Sequence, residues 1–252
     1  MEPALPAVRD ALQRGNVVVT APPGSGKTTR VPWVCAERGR TIVLEPRRLA
    51  ARLAAEFMAR SRGESVGRSV GLVTRHERKL SRASEVVVMT EGVLLRQLAS
   101  DPELDGTSVV VLDEFHERSV QLDLAIALLA EVQSGLRPDL RIVVMSATID
   151  PAPVQAFLHP CALVEAAGRP GELTIEHDPV DVSDPSAVAR AVRSAFRKTD
   201  GDVLVFLPGA PEIRRVRDAL KERTVDADVE TLFGEMRPED QDRALAPRDR
   251  RR

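Results

Sequence analysis

The sequence has 252 residues, 43% of them apolar and 29% charged, with a formal net charge of −2. This length makes one or two domains and the composition excludes a disordered chain. The near-neutral balance means that any nucleic-acid partner must be held by local patches and not by a basic chain overall.

Two cysteines, Cys35 and Cys161, lie far apart and follow no metal-ligand spacing, so neither a zinc site nor a disulfide framework is expected. The N-terminal MEPALPAVRDALQRGN lacks the basic start and long apolar run of a secretion signal. No stretch of about 18 apolar residues occurs, so a cytoplasmic protein without a membrane partner is expected.

In chain order, the first predicted strand is NVVVT, residues 16–20, and it runs into APPGSGKTTR, residues 21–30. The phosphate-loop pattern is glycine, four residues, then Gly-Lys-Ser/Thr between a strand and a helix. Gly26, Lys27 and Thr28 fit it, with Ala21 where the generic pattern has its first glycine. Gly24 and Gly26 let successive amides turn inward, and the start of the following helix adds partial positive charge. Pro23, Gly24, Ser25, Gly26, Lys27, Thr28 and Thr29 are therefore the candidate nucleotide contacts. Lys27 would reach the β and γ phosphates of ATP and the Thr28 hydroxyl would ligate Mg2+. Pro32, inside that helix, is expected to kink it.

Further apolar runs follow at TIVLE (41–45), EVVVMT (85–90), SVVVLDE (108–114) and RIVVMSAT (141–148). They are continuously apolar, as strands covered on both faces are. Residues 47–61 and 119–134 carry apolar positions at helical spacing. The pattern predicts an α/β fold: a mostly parallel sheet with helices on both faces. At the end of one apolar strand stands Asp113, which would hold the magnesium through its water shell, and beside it Glu114, which would polarise the attacking water. Taken with the phosphate loop, this pair points to nucleotide hydrolysis.

After Asp150 the chain is dense in proline and glycine and reads as the exit from a first domain. A second α/β unit is predicted from a helix at 185–198, a strand at 201–209, a helix at 210–223 and a strand at 227–233. The expected division is a first domain at 1–165, a linker at 166–184 and an incomplete second domain at 185–252. The terminal PRDRRR (247–252) reads as a solvated tail.

DEFHER (113–118) resembles the Asp-Glu-x-His signature of the DEAH-box helicases of superfamily 2. EPRRLAA (45–51) resembles their motif Ia, TEGVLLRQL (90–98) motif Ib, SAT (146–148) motif III and LVFLPGAPEI (204–213) motif IV. The phenylalanine at 115, LEPRRLAAR and LFGEMRPEDQDRALAP are most similar to the bacterial HrpB-type ATP-dependent helicases.

The resemblance implies a RecA-like phosphate-loop domain followed by a partial second RecA-like lobe. It also implies ATP and Mg2+ as cofactors and single-stranded nucleic acid, RNA before DNA, as partner. Arg47 and Arg48 would clamp strand phosphates, and Thr90, Glu91 and Gly92 at a helix start would suit another. His116, Ser146 and Thr148 would bridge the hydrolysis site to the nucleic-acid face, with Glu114, Lys27 and His116 as the catalytic set.

The threonine-rich coupling motif and the arginine motif of the second lobe are not found in this sequence. Weak turnover alone and a completing chain or domain are therefore expected. A nucleotide-regulated binding module and an inactive fragment remain alternative readings.

Overall fold

The computed structural model describes residues 1–167, 173–221, 227–246 and 252. They divide into two compact units, Met1–Glu172 and Leu173–Arg252. In the first, eight strands form one sheet. They are β1 (Asn16–Thr20), β2 (Thr41–Glu45), β3 (Val70–Val73), β4 (Arg78–Lys79), β5 (Val86–Thr90), β6 (Val109–Leu112), β7 (Arg141–Ser146) and β8 (Cys161–Glu165). Across the sheet the order is β4-β3-β5-β2-β6-β7-β1-β8. Every neighbouring pair is parallel except β3 with β4.

The central strands are apolar nearly throughout because helices cover both faces. Val17 and Val19 belong to the core beneath α1 (Leu5–Arg14), α2 (Lys27–Ala36) and α3 (Arg48–Ser61). Val18, between them, points to the opposite core with α4 (Glu91–Ser100), α5 (Val120–Gly135) and α6 (Pro151–Phe157). Each such valine or leucine contributes roughly 1.5–3 kcal/mol by leaving water. The alternation fixes the strand register, since a one-residue slip would exchange the two cores. Pro32 sits buried within α2 without ending it.

The parallel register sets the place of the site. Thr20 lies beside Ser146, Glu45 beside Thr90, and Leu44 beside Leu112. The strands thus finish along one edge, where open α/β sheets take their ligands.

Three strands lie beyond the sequence-based expectation. β3 and the antiparallel two-residue β4 are short, and β8 falls inside the stretch read as a domain exit. That stretch instead supplies α6, capped by Asp150 accepting from the Ala152 amide at 3.1 Å, and then β8 on the outer side of β1. As an edge strand β8 is only partly buried, so it lacks the fully apolar signature of the central strands.

The second unit contains α7 (Pro185–Lys198), α8 (Ala210–Lys221) and α9 (Pro238–Leu245). Asp184 caps α7 by accepting from the Ser186 amide at 2.8 Å. A small core of Val188, Ala189, Val216 and Leu220 is flanked by Val205, Leu207 and Val229.

The strands expected at 201–209 and 227–233 do not form: among the described residues of this unit no segment pairs as a strand. Val205, Leu207 and Val229 pack on the helices, but a strand needs a neighbour for its backbone groups. Most of the 247–252 tail lies outside the described residues. Arg252 is not free in solvent as expected; its guanidinium lies 3.4 Å from Asp202 and donates to the Ala244 carbonyl at 2.9 Å.

Candidate nucleotide and nucleic-acid site

Strand β1 delivers the chain into a turn that only glycine-like backbone can follow. Gly24 has φ +73° and Gly26 φ +83°, both left-handed. A Cβ at Gly24 would meet nothing within 4 Å, so the backbone there faces open space. Gly26 is the N-cap of α2 and supplies no side chain to its amides. The Ser25 hydroxyl is buried without a partner. Unclaimed amides at a helix start, an unpartnered hydroxyl and an open concavity are what an anionic group requires.

Two carboxylates stand opposite. Lys27, 5% exposed, donates to Glu114 Oε1 at 3.0 Å. The Thr28 hydroxyl donates to Asp113 Oδ2 at 2.5 Å, and Asp113 Oδ1 accepts the Glu114 amide at 2.8 Å. Asp113 is fully buried, because its own amide continues the sheet ladder to the Leu44 carbonyl at 3.1 Å. Burial pushes its carboxyl up to about 6 against the pull of the Thr28 and Glu114 hydrogen bonds.

One hydroxyl and one buried carboxylate suit Mg2+, which keeps several waters and takes its remaining oxygens from phosphate. The residues present therefore fit both the nucleotide and the ion.

A third carboxyl, unexpected from the sequence, joins them. Glu45 ends β2 at 3% exposure, with Oε1 unpartnered. Burial first, then the charges of Asp113 and Glu114, push it up to about 9. Its signal was a lone acid closing the apolar TIVLE, one strand over from Asp113. Glu45 also lines a cleft shared with Thr28, Thr29, Leu53, Phe57 and Glu114. There the Phe57 ring is 57% exposed, an aromatic face beside the phosphate loop that sequence reasoning also missed.

The expected polar bridge is brought together. His116 Nδ1 lies 3.3 Å from Glu114 Oε2 and 3.5 Å from Ser146 Oγ, and the Thr148 amide donates to Ser146 Oγ at 3.3 Å. Phe115 is buried in the core beneath, which explains a large apolar residue in that position of the signature.

Arg47 and Arg48 are exposed at the start of α3, with Arg47 3.3 Å from Glu117. Thr90 is the N-cap residue of α4 but makes no side-chain cap bond. Glu91 is turned inward at 4% exposure and accepts from the Ser119 hydroxyl at 2.7 Å, while Gly92 is partly exposed.

Among the described residues no group of three or more His, Cys, Asp or Glu is placed to hold a metal ion, and no helix is long and apolar enough to cross a membrane.

Residues 4–157 match the family model for the DEAD/DEAH box helicase. The chain is 40% identical over 240 residues to the ATP-dependent RNA helicase HrpB of Escherichia coli (strain K12), covering 92% of this chain and 30% of that protein. It is 35% identical over 224 residues to the pre-mRNA-splicing factor ATP-dependent RNA helicase prp22 of Schizosaccharomyces pombe, covering 85% of this chain and 19% of that one. The crystal structure of the Escherichia coli DEAH/RHA helicase HrpB superposes with a TM-score of 0.87 at 38% identity, over 98% of this chain and 33% of that chain. The chain thus spans a third or less of these relatives.

Proposed function

This chain belongs to the DEAD/DEAH box helicase family, and on that premise we propose that it is the ATP-binding part of a DEAH-type RNA helicase. In that role hydrolysis of ATP drives closure of two RecA-like lobes on a single strand. The observation that carries the reading is the meeting of Thr28 and Asp113 at 2.5 Å, 85 residues apart in sequence, with Lys27 beside them.

When bound, Mg2+ would neutralise charge on the phosphates. Lys27 holds the β and γ phosphates by exchanging Glu114 for them, and the amides of Gly24, Gly26, Lys27 and Thr28 bind the remaining oxygens. Glu114, freed from Lys27, orients a water and takes its proton, while His116 relays the state of Glu114 to Ser146 and Thr148. Phe57 and Leu53 offer an apolar face to the base. Asp113 and Thr28 hold the ion.

The relatives named above are ATP-dependent RNA helicases, which favours RNA over DNA. Arg47, Arg48 and the start of α4 at Thr90 and Gly92 contact the sugar-phosphate chain, so binding is salt-dependent and little sequence is read.

Residues 185–252 are read as part of a second RecA-like lobe after a 166–184 linker. Leu204 and Phe206, 76% and 87% exposed, alternate with the inward Val205 and Leu207, as in a strand meant for burial on both faces. A further domain or chain completes that lobe. The sequence contains no second-lobe arginine motif, and an arginine finger is worth roughly 10³–10⁵ in rate, so this chain alone turns over ATP slowly.

The test is ATPase activity with and without single-stranded RNA or DNA at two salt concentrations, with Lys27→Ala as the blank. Slow magnesium-dependent hydrolysis above the blank, raised by RNA at low salt, is expected. Activity equal to the blank, or stimulation by DNA alone, would contradict the reading.

A further inference from the structure

The connector between the hydrolysis site and α5 is conformationally costly. Glu114 at φ +50° and Arg118 at φ +49° are both left-handed non-glycine residues, and they bracket a single 3-10 turn at Phe115–Glu117. Such residues are costly and persist only where the surroundings dictate them. Here the surroundings are identifiable. Phe115 is anchored in the core, and Arg118 makes a two-point pair with Asp123 at 3.1 and 3.0 Å while lying over the Phe115 ring.

The far end of the connector is Ser119, whose hydroxyl has two tasks. It caps α5 by accepting the Leu122 amide at 2.9 Å, and it donates to Glu91 Oε2 at 2.7 Å. Glu91 is buried and its other oxygen has no partner. The α4 start is not held by its own cap, since Thr90 makes none. It is instead seated on the first turn of α5, where a Cβ on Gly92 would lie 3.6 Å from Gln121 Oε1.

We infer that Ser119 is a positioning residue that couples the two ligands: through its bond to Glu91 it ties the connector leaving Asp113 to the first turn of α4. When nucleotide takes Lys27 from Glu114, the connector readjusts at its two left-handed residues. Ser119 carries that change to Thr90 and Gly92. Glu91 then acts from inside and not on the strand. The inference rests on the helicase reading, because the start of α4 is a nucleic-acid contact only under it.

The experiment measures the affinity of this chain for a fluorescent single-stranded oligouridine by anisotropy, with and without β,γ-imido-ATP and Mg2+. The wild-type ratio is expected to be at least about fivefold, the lower end of ordinary coupling between sites. Ser119→Asp keeps a capping oxygen but faces Glu91 with like charge. Its ratio should fall to within about twofold of one, with nucleotide affinity in the absence of RNA unchanged. Adding Glu91→Gln supplies an amide donor to the new carboxylate and restores the ratio; Ser119→Thr never loses it. A residue that merely caps α5 would show no loss in Ser119→Asp and no rescue in the double variant. Should Ser119→Asp fail to fold, Ser119→Gly, which is tolerated at a helix N-cap far better than alanine, makes the same comparison.

A wild-type ratio near one, or a wild-type ratio in Ser119→Asp while both ligands still bind, overturns the inference and leaves the helicase reading standing. Failure of the wild-type chain to bind either ligand overturns that reading and the inference with it.

Discussion

Replacing Asp113 by asparagine should stabilise the ligand-free protein, and only above a defined pH. The Asp113 carboxyl is raised from an ordinary 3.8 to about 6, chiefly by burial. At about 1.4 kcal/mol for each tenfold in acidity constant, that is roughly 3 kcal/mol. A carboxyl whose folded-state value is raised weighs nothing against the fold below pH 3.8, where both states are protonated. Its cost enters as the pH climbs and is complete above about 6.

Asparagine keeps the shape and can still bond Thr28 and the Glu114 amide, so it removes the charge alone. Urea unfolding followed by the fluorescence of Trp33, the one tryptophan, gives the difference between variant and wild type at each pH. The variant should match wild type near pH 4 and exceed it by about 3 kcal/mol at pH 8, while losing magnesium-dependent nucleotide binding. A difference that does not change with pH would refute the reasoning.

Asn16, buried at the start of β1, donates to Gln133 Oε1 and the Leu158 carbonyl and accepts from Gln133 Nε2 and the Ile142 amide. Asn16→Ala strands a buried carbonyl and a buried amide and should cost about 2–5 kcal/mol in urea unfolding. Phe57→Ala should weaken nucleotide binding by about 0.5–1.5 kcal/mol, roughly two- to twelvefold, in fluorescence titration, with melting temperature unchanged. Arg47→Ala should lower oligouridine affinity and reduce the salt slope of log Kd by about one.

The central sheet was legible in the sequence because strands covered on both faces leave unbroken valine runs, as in NVVVT and SVVVLDE. The meeting of Lys27, Thr28 and Asp113 was legible because each stands at or just past the end of an apolar run, and the strands of a parallel sheet finish along one edge. Glu45 was not, because its meaning depends on β2 lying beside β6, a neighbour relation that spacing does not carry. Glu91 reads as an exposed helix-start acid until the position of Ser119, 28 residues later, shows it turned inward. The short β3, β4 and β8 lack length or full burial. The segments at 201–209 and 227–233 have the composition of strands, but composition cannot supply the neighbour that makes them pair.

The account rests on Mg2+ and a nucleoside triphosphate being held together by Lys27, Thr28 and Asp113. Titration calorimetry of β,γ-imido-ATP into the chain, with and without Mg2+, tests it most directly when repeated on Lys27→Ala and Thr28→Ala. The account predicts saturable, magnesium-dependent uptake by wild type and at least about tenfold weaker binding, some 1.4 kcal/mol, in each variant. Equal affinity without the ion, or undiminished uptake by both variants, would contradict it.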